Sequence, residues 1–320
     1  MKNVAIILIN WNGWKDTCEC LSSFLLLPEQ AHFFIVDNNS SDSSVTHLEQ
    51  FAKEKNISYR VLAFPELKQK FDKNTNLTII PNTVNAGFAR ATNRVLQFVL
   101  QKEEFDYAWL LNNDTIVNKS TLPALLEDAA VNPGVTFWGS VILEYAFPDT
   151  VQSCGVHHHK YLGVSKLFLK GKRWDTINNS TRLKKTRNDY QNGASLFIKL
   201  SSLKSRGLMD EIFFLYSEEA DWQLRAYKKG FSNKLSEKSI VYHKGSVSTL
   251  SRKHIFFFHY NCSAVLLTRK NFGVLASFTS TLALIIITVL RSRLHFKSIL
   301  SGINGIINGW KIKIARQEDQ

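Results

Sequence analysis

The chain has 320 residues, 44% of them hydrophobic, which is enough to bury a full core and excludes a disordered protein. Its formal net charge of +13 raises the question of nucleic-acid binding. Residues 1–221 carry 24 Lys and Arg against 24 Asp and Glu, whereas residues 222–320 carry 16 against 3. That basic last third also contains the most apolar stretch, residues 271–290, and no nucleic-acid motif. We therefore expect a membrane surface, and no nucleic acid, as the partner.

The cysteines and the amino terminus bear on the cellular compartment. The four cysteines show neither paired CxxC spacing nor the density of a disulfide scaffold, so a reducing cytoplasm is the simplest location. The apolar run at residues 4–10 is short and lacks a small-residue cleavage site, which favours a buried strand over a signal peptide.

The first 120 residues alternate short β-branched or aromatic runs with helical stretches, the pattern of a mainly parallel sheet flanked by helices. The pattern predicts strands at 4–10, 33–37, 78–80 and 107–111, and helices at 14–27 and 86–101. From about residue 132 to 190 the periodicity is weak, and we expect an irregular region that faces the acceptor. Regular elements are predicted again at 194–200, at 218–229 with Gly230 ending a helix, and at 239–243.

Polar residues that follow buried strands are candidate ligand contacts, because open parallel sheets bind ligands beyond the carboxyl ends of their strands. Asn10, Asp37 and Asp114 occupy such positions. Asp37 could accept hydrogen bonds from a nucleotide base or ribose, and Asp114 could ligate Mg²⁺ or Mn²⁺ together with substrate phosphates. The same residue types are common in turns and helix caps, so each position also has a purely structural interpretation.

An acidic cluster at the start of the helix predicted at 218–229 consists of Glu218, Glu219 and Asp221. Acidic side chains at a helix amino terminus stabilise the helix dipole, which is one explanation. Crowded carboxylates beside an apolar wall can also acquire the raised pKa of a general base. Arg225, four residues after Asp221, is placed to pair with it on one helical face.

Five segments, taken in order, resemble the motifs of glycosyltransferase family 2, in particular its bacterial rhamnosyltransferase-like branch. They are VAIILINWNG (4–13), FFIVDNNSSDSS (33–44), NAGFARATN (85–93), WLLNNDT (109–115) and FFLYSEEADWQLRAYKKGF (213–231). The resemblance covers residues 3–250 and implies a GT-A fold, an α/β architecture with a Rossmann-like, mainly parallel mixed sheet flanked by helices. A C-terminal helical, membrane-associating appendage would follow it.

The resemblance also implies roles for individual residues. Asp37 would hold the nucleotide base, Asp114 and His243 would hold Mg²⁺ or Mn²⁺, and Glu219 would be the catalytic base. Glu218 and Asp221 are possible substitutes for Glu219, since many relatives carry Asp at that position. Further residues implied at the donor pocket are Asn10, Asn39, Asn85, Gly87, Asn93, Asn112, Asn113 and Gly193. Because Asn112 replaces the first acid of a strict DxD, the metal would depend on Asp114, His243 and diphosphate oxygens.

The implied activity is the inverting transfer of a single sugar, since the QxxRW pattern of processive synthases is absent. The donor would be a UDP- or dTDP-sugar, with dTDP-rhamnose favoured by the branch, and the acceptor a lipid-linked or cell-surface glycan. A degenerate, non-catalytic sugar-binding protein is one alternative. A sugar nucleotidyltransferase is another, although NWNGWKD lacks the Gly-rich basic loop of that class.

The expected organisation is a catalytic domain at 1–250, with a nucleotide-sugar half at 1–120 and an acceptor half at 121–250, followed by a basic, apolar helical region at 251–320. Residues 271–290 are barely long enough to span a bilayer, and residues 297–316 form an amphipathic pattern. We expect a helix lying in the membrane interface, on the cytoplasmic face of the plasma membrane, rather than a true span. The alternative is that both helices pack on the catalytic domain.

Overall fold

The computed structural model describes residues 3–24, 31–72, 74–177, 189–204, 207–245 and 253–314. The strands are β1 Val4–Asn10, β2 Ala31–Asp37, β3 Tyr59–Val61, β4 Leu77–Pro81, β5 Tyr107–Leu111, β6 Thr115–Val117, β7 Val135–Glu144, β8 Val151–Ser153, β9 Val156–His159, β10 Val164–Leu167, β11 Ser195–Lys199 and β12 Ser232–His243. The helices are α1 Trp14–Phe24, α2 Ser44–Glu54, α3 Phe64–Lys70, α4 Gly87–Lys102, α5 Thr121–Val131, α6 Leu200–Leu203, α7 Glu218–Lys228, α8 Lys253–Asn271, α9 Gly273–Arg291 and α10 Phe296–Lys311.

A ten-stranded sheet in the order β3-β4-β2-β1-β5-β11-β7-β12-β6, with β8 beside β7, forms the centre of the molecule. Strands β3, β4, β2, β1 and β5 are parallel, whereas β11 runs antiparallel between β5 and β7. Asn10 pairs in register with Asp37, which pairs with Pro81, so the carboxyl ends of these strands lie side by side. The predicted mainly parallel mixed sheet is confirmed.

The sheet is buried on both faces, which explains the continuous apolar runs of its central strands. Along β1, Ala5 and Ile7 contribute to a core cluster that includes α4, whereas Val4, Ile6 and Leu8 contribute to a second cluster that includes α1 and α2. Helices therefore cover both faces, and the carboxyl ends of the strands are the place where open sheets of this kind bind ligands.

The region predicted to be irregular, residues 132–190, contains the ten-residue strand β7, and this prediction was wrong. Gly139 and Ser140 interrupt the apolar pattern there, but both are buried, and the side chain of Gln191 packs directly on Gly139. The edge strand β3 was also missed, since it has only three residues and none of them is buried. The helix predicted at 14–27 is described as far as Phe24, and residues 25–27 lie outside the described residues.

The three C-terminal helices pack unequally. Glycines of α10 lie against α8, because a Cβ on Gly305 would collide with the Phe258 carbonyl and one on Gly309 would lie 2.7 Å from the Cys262 carbonyl. Much of the apolar face of α10 is thus covered by protein. Among the described residues, α9 is the one helix that is long and apolar enough to cross a membrane.

Helix α9 buries mostly small and hydroxyl side chains and exposes large apolar ones. Its buried face is formed largely by small and hydroxyl residues, namely Ala276, Ser277, Ser280 and Thr288, together with Leu284. Its exposed face carries large apolar residues, and Leu275, Phe278, Leu282, Ile286 and Leu290 are each at least 59% exposed. A helix in contact with water normally shows the opposite arrangement.

Candidate active site

Asp37 lies at the end of β2 with both carboxylate oxygens engaged. The Asn10 amide donates to Oδ1 at 2.8 Å, and Ser40 donates to Oδ1 through its hydroxyl at 2.6 Å and to Oδ2 through its backbone N–H at 3.1 Å. Asn10 and Asp37 are both buried. Asn39 is exposed with a left-handed φ of 61°, so the chain turns sharply directly after Asp37.

The loop before α4 is organised by Asn38, a residue that the sequence interpretation missed. Its amide donates to Asn85 Oδ1 at 2.9 Å and to the Gly87 carbonyl at 3.2 Å, and its Oδ1 accepts from Asn82 and from the Ala86 N–H at 3.0 Å each. The available signal was a second polar residue after a buried strand. Asn38 therefore holds Asn85 and Gly87 next to the end of β2.

Gly87 brings two of the sequence motifs into contact. It has a φ of +77°, and a Cβ at this position would lie 2.5 Å from the Phe214 carbonyl oxygen. The N–H of Phe88 donates to the same carbonyl at 2.8 Å. Neither the backbone conformation nor the space permits a larger residue, so glycine is required here.

Asn93 anchors the segment before α7. Its amide donates to the Met209 carbonyl at 2.9 Å and to Glu211 at 3.1 Å, and its oxygen accepts from the Met209 N–H at 3.1 Å. The side chain is buried, and this bonding supports a positioning role for Asn93.

The turn between β5 and β6 carries Asn112, Asn113 and Asp114. The Asn113 amide donates to Thr17 at 2.9 Å and lies 3.4 Å from Asn10 Oδ1, which connects this turn to the end of β1. Asp114 Oδ1 lies 3.1 Å from Nε2 of His243, and the amide nitrogen of Asn112 lies 3.4 Å from the same Nε2. The residues implied at the metal thus converge.

Asp114 and His243 suit a divalent cation that is shared with a substrate. One carboxylate and one imidazole are too few ligands for a closed protein site, and the described residues contain no group of three or more His, Cys, Asp or Glu that could hold a metal. Mg²⁺ and Mn²⁺ commonly use one or two protein ligands and take the rest from phosphates and water. The donor set fits such an ion.

The acidic pair at the start of α7 is held by an unusual backbone. Tyr216 and Ser217 both have left-handed φ values, 70° and 65°, directly before Glu218. Consecutive non-glycine residues in this region store strain that often marks functional sites. A Cβ on Gly193 would lie 3.2 Å from Cγ of Glu219, so the small residue at 193 leaves room for the Glu219 side chain.

The environment of this pair favours protonation. Burial, followed by the charge of Glu219, raises the pKa of Glu218 well above its ordinary value, and burial raises the pKa of Glu219. Within the described residues, Oε2 of Glu218 has no hydrogen-bond partner. Such carboxyls release and take up protons closer to neutral pH than exposed glutamates do.

Asp221 is in a different situation from the two glutamates. It is fully buried and accepts from Arg225 at 2.7 Å, Lys270 at 3.0 Å and Asn271 at 2.9 Å. Its pairing with Arg225 agrees with the predicted i,i+4 contact. Because Lys270 and Asn271 belong to α8, Asp221 connects α7 to the C-terminal helices.

Sequence comparison identifies the family. The profile described as glycosyl transferase family 2 matches residues 5–191, which is more than half of the chain. The chain belongs to glycosyl transferase family 2. No curated protein sequence matches it.

Three solved structures share this fold, and one of them is a mannosyltransferase. GalNAc-T7 with UDP, GalNAc and Mn²⁺ matches at 13% identity and a TM-score of 0.59 over 84% of this chain, which spans only 48% of that protein. Mannosyltransferase PcManGT from Pyrobaculum calidifontis, in complex with GDP-Man and Mn²⁺, matches at 12% identity and a TM-score of 0.59, over 97% of this chain and 87% of that one. Residues 1–349 of S. aureus TarS match at 14% identity and a TM-score of 0.50, over 99% and 93%. The fold is GT-A, and this family 2 protein is a glycosyltransferase.

Proposed function

We propose that this glycosyltransferase moves one sugar, with inversion, from a UDP- or dTDP-linked donor to a lipid-linked or cell-surface glycan. The rhamnosyltransferase-like motifs favour dTDP-rhamnose as the donor. The observation that carries the proposal is the convergence of Asp114 and His243 at 3.1 Å, in a turn that also contacts Asn10 through Asn113. A nucleotide subsite and a metal-diphosphate subsite would thereby be contiguous.

The donor would bind along the ends of β1, β2 and β5. Asp37 could accept a hydrogen bond from the imide N–H of uracil or thymine, while its bonds to Asn10 and Ser40 keep it oriented. Asp114 and His243 would hold Mg²⁺ or Mn²⁺. When bound, the ion supplies Lewis-acid stabilisation of the departing diphosphate. Mn²⁺ in GalNAc-T7 and PcManGT supports this choice of cofactor.

Glu219 would accept the proton of the acceptor hydroxyl as that oxygen attacks the anomeric carbon. Its position beside Gly193 and its raised pKa support this role. Glu218, whose pKa is raised by burial and by the charge of Glu219, would stay protonated beside the base. Asp221, whose oxygens are occupied, would fix the helix that carries both. Tyr216, which precedes this helix, and Phe256 and Tyr260 of α8 have ring centroids 5.3–6.2 Å apart. These rings would offer stacking surfaces to acceptor sugars.

The acceptor would be reached at a membrane. The exposed apolar face of α9 is the kind of surface that lipid covers, whereas its hydroxyl-bearing face packs inward, as small residues do between helices in bilayers. Arg291 ends α9, Arg293 follows it and Lys297 lies in the first turn of α10, and these side chains would meet anionic headgroups. We infer that residues 271–316 bind the cytoplasmic face of the plasma membrane and that residues 1–250 form the catalytic domain. The four free cysteines support that compartment.

A donor panel tests the enzyme assignment. Purified protein with Mg²⁺ or Mn²⁺ is incubated with UDP-, dTDP- and GDP-sugars, and release of the nucleoside diphosphate is measured. We expect metal-dependent release from one donor, and its loss in the Asp114→Ala variant. Absence of release from every donor, with no thermal shift on addition of nucleotide and metal, would instead support a degenerate sugar-binding protein.

A further inference from the structure

We propose that Gln152 is a positioning residue that fixes the tautomer of His243, so that His243 presents the lone pair of Nε2 toward Asp114. The inference rests on the proposed function, because it concerns how this chain prepares a ligand for the divalent cation. Gln152 lies on β8, in the region whose sequence gave no sign of a site, and it has no place in the family motifs quoted above.

The contacts form a chain across three strands. Oε1 of Gln152 lies 2.6 Å from Nδ1 of His243, and Nε2 of Gln152 donates to Glu144 at 3.0 Å. Strand β7 pairs with β8 on one side and with β12 on the other, where Glu144 is in register with His243. Gln152 and His243 are each 8% exposed, so water competes little for these bonds.

The direction of each hydrogen bond follows from the chemistry of Glu144. A carboxylate only accepts hydrogen bonds, so the NH₂ of Gln152 must face Glu144 and its carbonyl oxygen must face His243. That carbonyl also only accepts, so Nδ1 of His243 must carry a proton. In the neutral imidazole, Nε2 then has no proton and presents a lone pair.

The lone pair of the neutral imidazole faces the carboxylate of Asp114. Nε2 lies 3.1 Å from Oδ1 of Asp114, and a nitrogen lone pair beside a carboxylate oxygen suits a divalent cation bound to both. The Asn112 amide nitrogen, 3.4 Å from Nε2, is a donor that suits a deprotonated nitrogen. Glu144 and Gln152 therefore fix the tautomer of His243 that can bind a metal before the metal binds.

Mn²⁺ affinity tests the inference independently of turnover. The full chain with saturating UDP is titrated with Mn²⁺, and free Mn²⁺ is measured by electron paramagnetic resonance. Gln152→Leu removes the acceptor for the Nδ1 proton, and we expect Mn²⁺ affinity to fall by about 10-fold to 100-fold. Ser153→Ala, a neighbour on β8 whose hydroxyl donates to the Gly155 carbonyl, is the matched control and should bind as the wild type does.

Exchanging the amide and the carboxylate between positions 152 and 144 distinguishes a positioning role of Gln152 from a packing role. In the double variant Gln152→Glu with Glu144→Gln, the new amide at 144 donates to the new carboxylate at 152, which still accepts from Nδ1 of His243. We expect Mn²⁺ affinity within about threefold of the wild type. Nitrogen-15 spectra of histidine-labelled protein, with His243→Asn for assignment, should show a protonated Nδ1 in the wild type and double variant, and not in Gln152→Leu.

The outcomes distinguish this inference from the function on which it rests. Wild-type affinity in Gln152→Leu, or an Nε2-protonated His243 in the wild type, would overturn the positioning role even if Asp114→Ala abolishes binding. A double variant as weak as Gln152→Leu would overturn it as well. If the wild type itself does not bind Mn²⁺ in the presence of UDP or dTDP, both the metal-dependent function and this inference fail.

Discussion

Nε2 of His243 lies 3.1 Å from Oδ1 of Asp114, although 129 positions separate the two residues in the chain. Strand pairing creates this proximity, since His243 on β12 is opposite Thr115 on β6, the residue that follows Asp114. Both side chains are largely buried. The pairing of β6 with β12 therefore holds Asp114, the last residue of the turn before β6, next to His243.

The first prediction concerns this pair. Asp114→Ala or His243→Ala should lower metal-dependent release of nucleoside diphosphate by about 100-fold or more, because each removes one of the two proposed protein ligands. Release assays across a Mn²⁺ titration check this. Asp149→Ala, at an exposed position, is the control and should behave as the wild type does. Full activity in either ligand variant would exclude metal binding between these residues.

The second prediction concerns Glu219 as the proposed catalytic base. Glu219→Gln keeps the shape of the side chain but cannot accept the acceptor proton, so transfer should fall by about 100-fold to 10,000-fold. Binding of donor and Mn²⁺, measured by calorimetry, should remain close to wild type. Transfer that survives in Glu219→Gln but is lost in Glu218→Gln would assign the base to Glu218.

The third prediction uses the pKa of Glu218. A buried carboxyl with a raised pKa binds its proton more tightly in the folded state than in the unfolded state. Its contribution to the free energy of unfolding is therefore complete below the unfolded pKa of about 4.3. That contribution is lost as pH rises through the folded pKa. Glu218→Gln should therefore raise the melting temperature at pH 7.5 and have little effect near pH 4. Thermal unfolding at both pH values measures this, and an equal shift at both would contradict the assigned cause.

The fourth prediction concerns Gly87. Gly87→Ala places a Cβ 2.5 Å from the Phe214 carbonyl at a φ of +77°, and we expect a loss of about 1–3 kcal/mol in the free energy of unfolding. Gly230→Ala has a similar φ of +85° but open space, so it isolates the backbone strain. Urea unfolding measures the free energy of unfolding of Gly87→Ala and Gly230→Ala. If the two variants lose equal stability, the contact with Phe214 does not matter.

The fifth prediction concerns α9. Phe278→Glu with Leu282→Glu should reduce binding to anionic vesicles by about two orders of magnitude, since each apolar side chain contributes about 1.5–3 kcal/mol when removed from water. Flotation without detergent measures this. The matched control is Val131→Glu with Phe147→Glu, both 69% exposed and outside the C-terminal helices. Unchanged flotation of the α9 variant would exclude this face as the lipid contact.

The sequence predicted those parts of the molecule that depend on local pattern. Strands β1, β2 and β5 follow from apolar runs, and Asn10, Asp37 and Asp114 lie at strand ends because the chain alternates strand and helix. Strand β7 was missed because Gly139 and Ser140 break a buried run, and a break of that kind also marks a loop. Gln152 carried no signal, since its role comes from strand pairing between distant segments.

The acidic run at 218–221 shows a second limit. Three acids within four residues look equivalent in sequence, yet Asp221 is bonded to α8 whereas Glu218 and Glu219 are not. The difference depends on which face of α7 meets α8, and that is decided by tertiary packing. For the same reason, the apolar pattern of 297–316 did not reveal that much of the apolar face of α10 packs against α8.

The bond network around Asp221 has a consequence for the choice of acceptor. Lys270 and Asn271 end α8 and are separated from α9 by Phe272, and both donate hydrogen bonds to Asp221, two residues after Glu219. If α9 lies in lipid, Glu219, the proposed catalytic base, stays at a constant height above the bilayer. The enzyme would then select acceptors by the distance of their terminal sugar from the membrane as well as by the identity of that sugar.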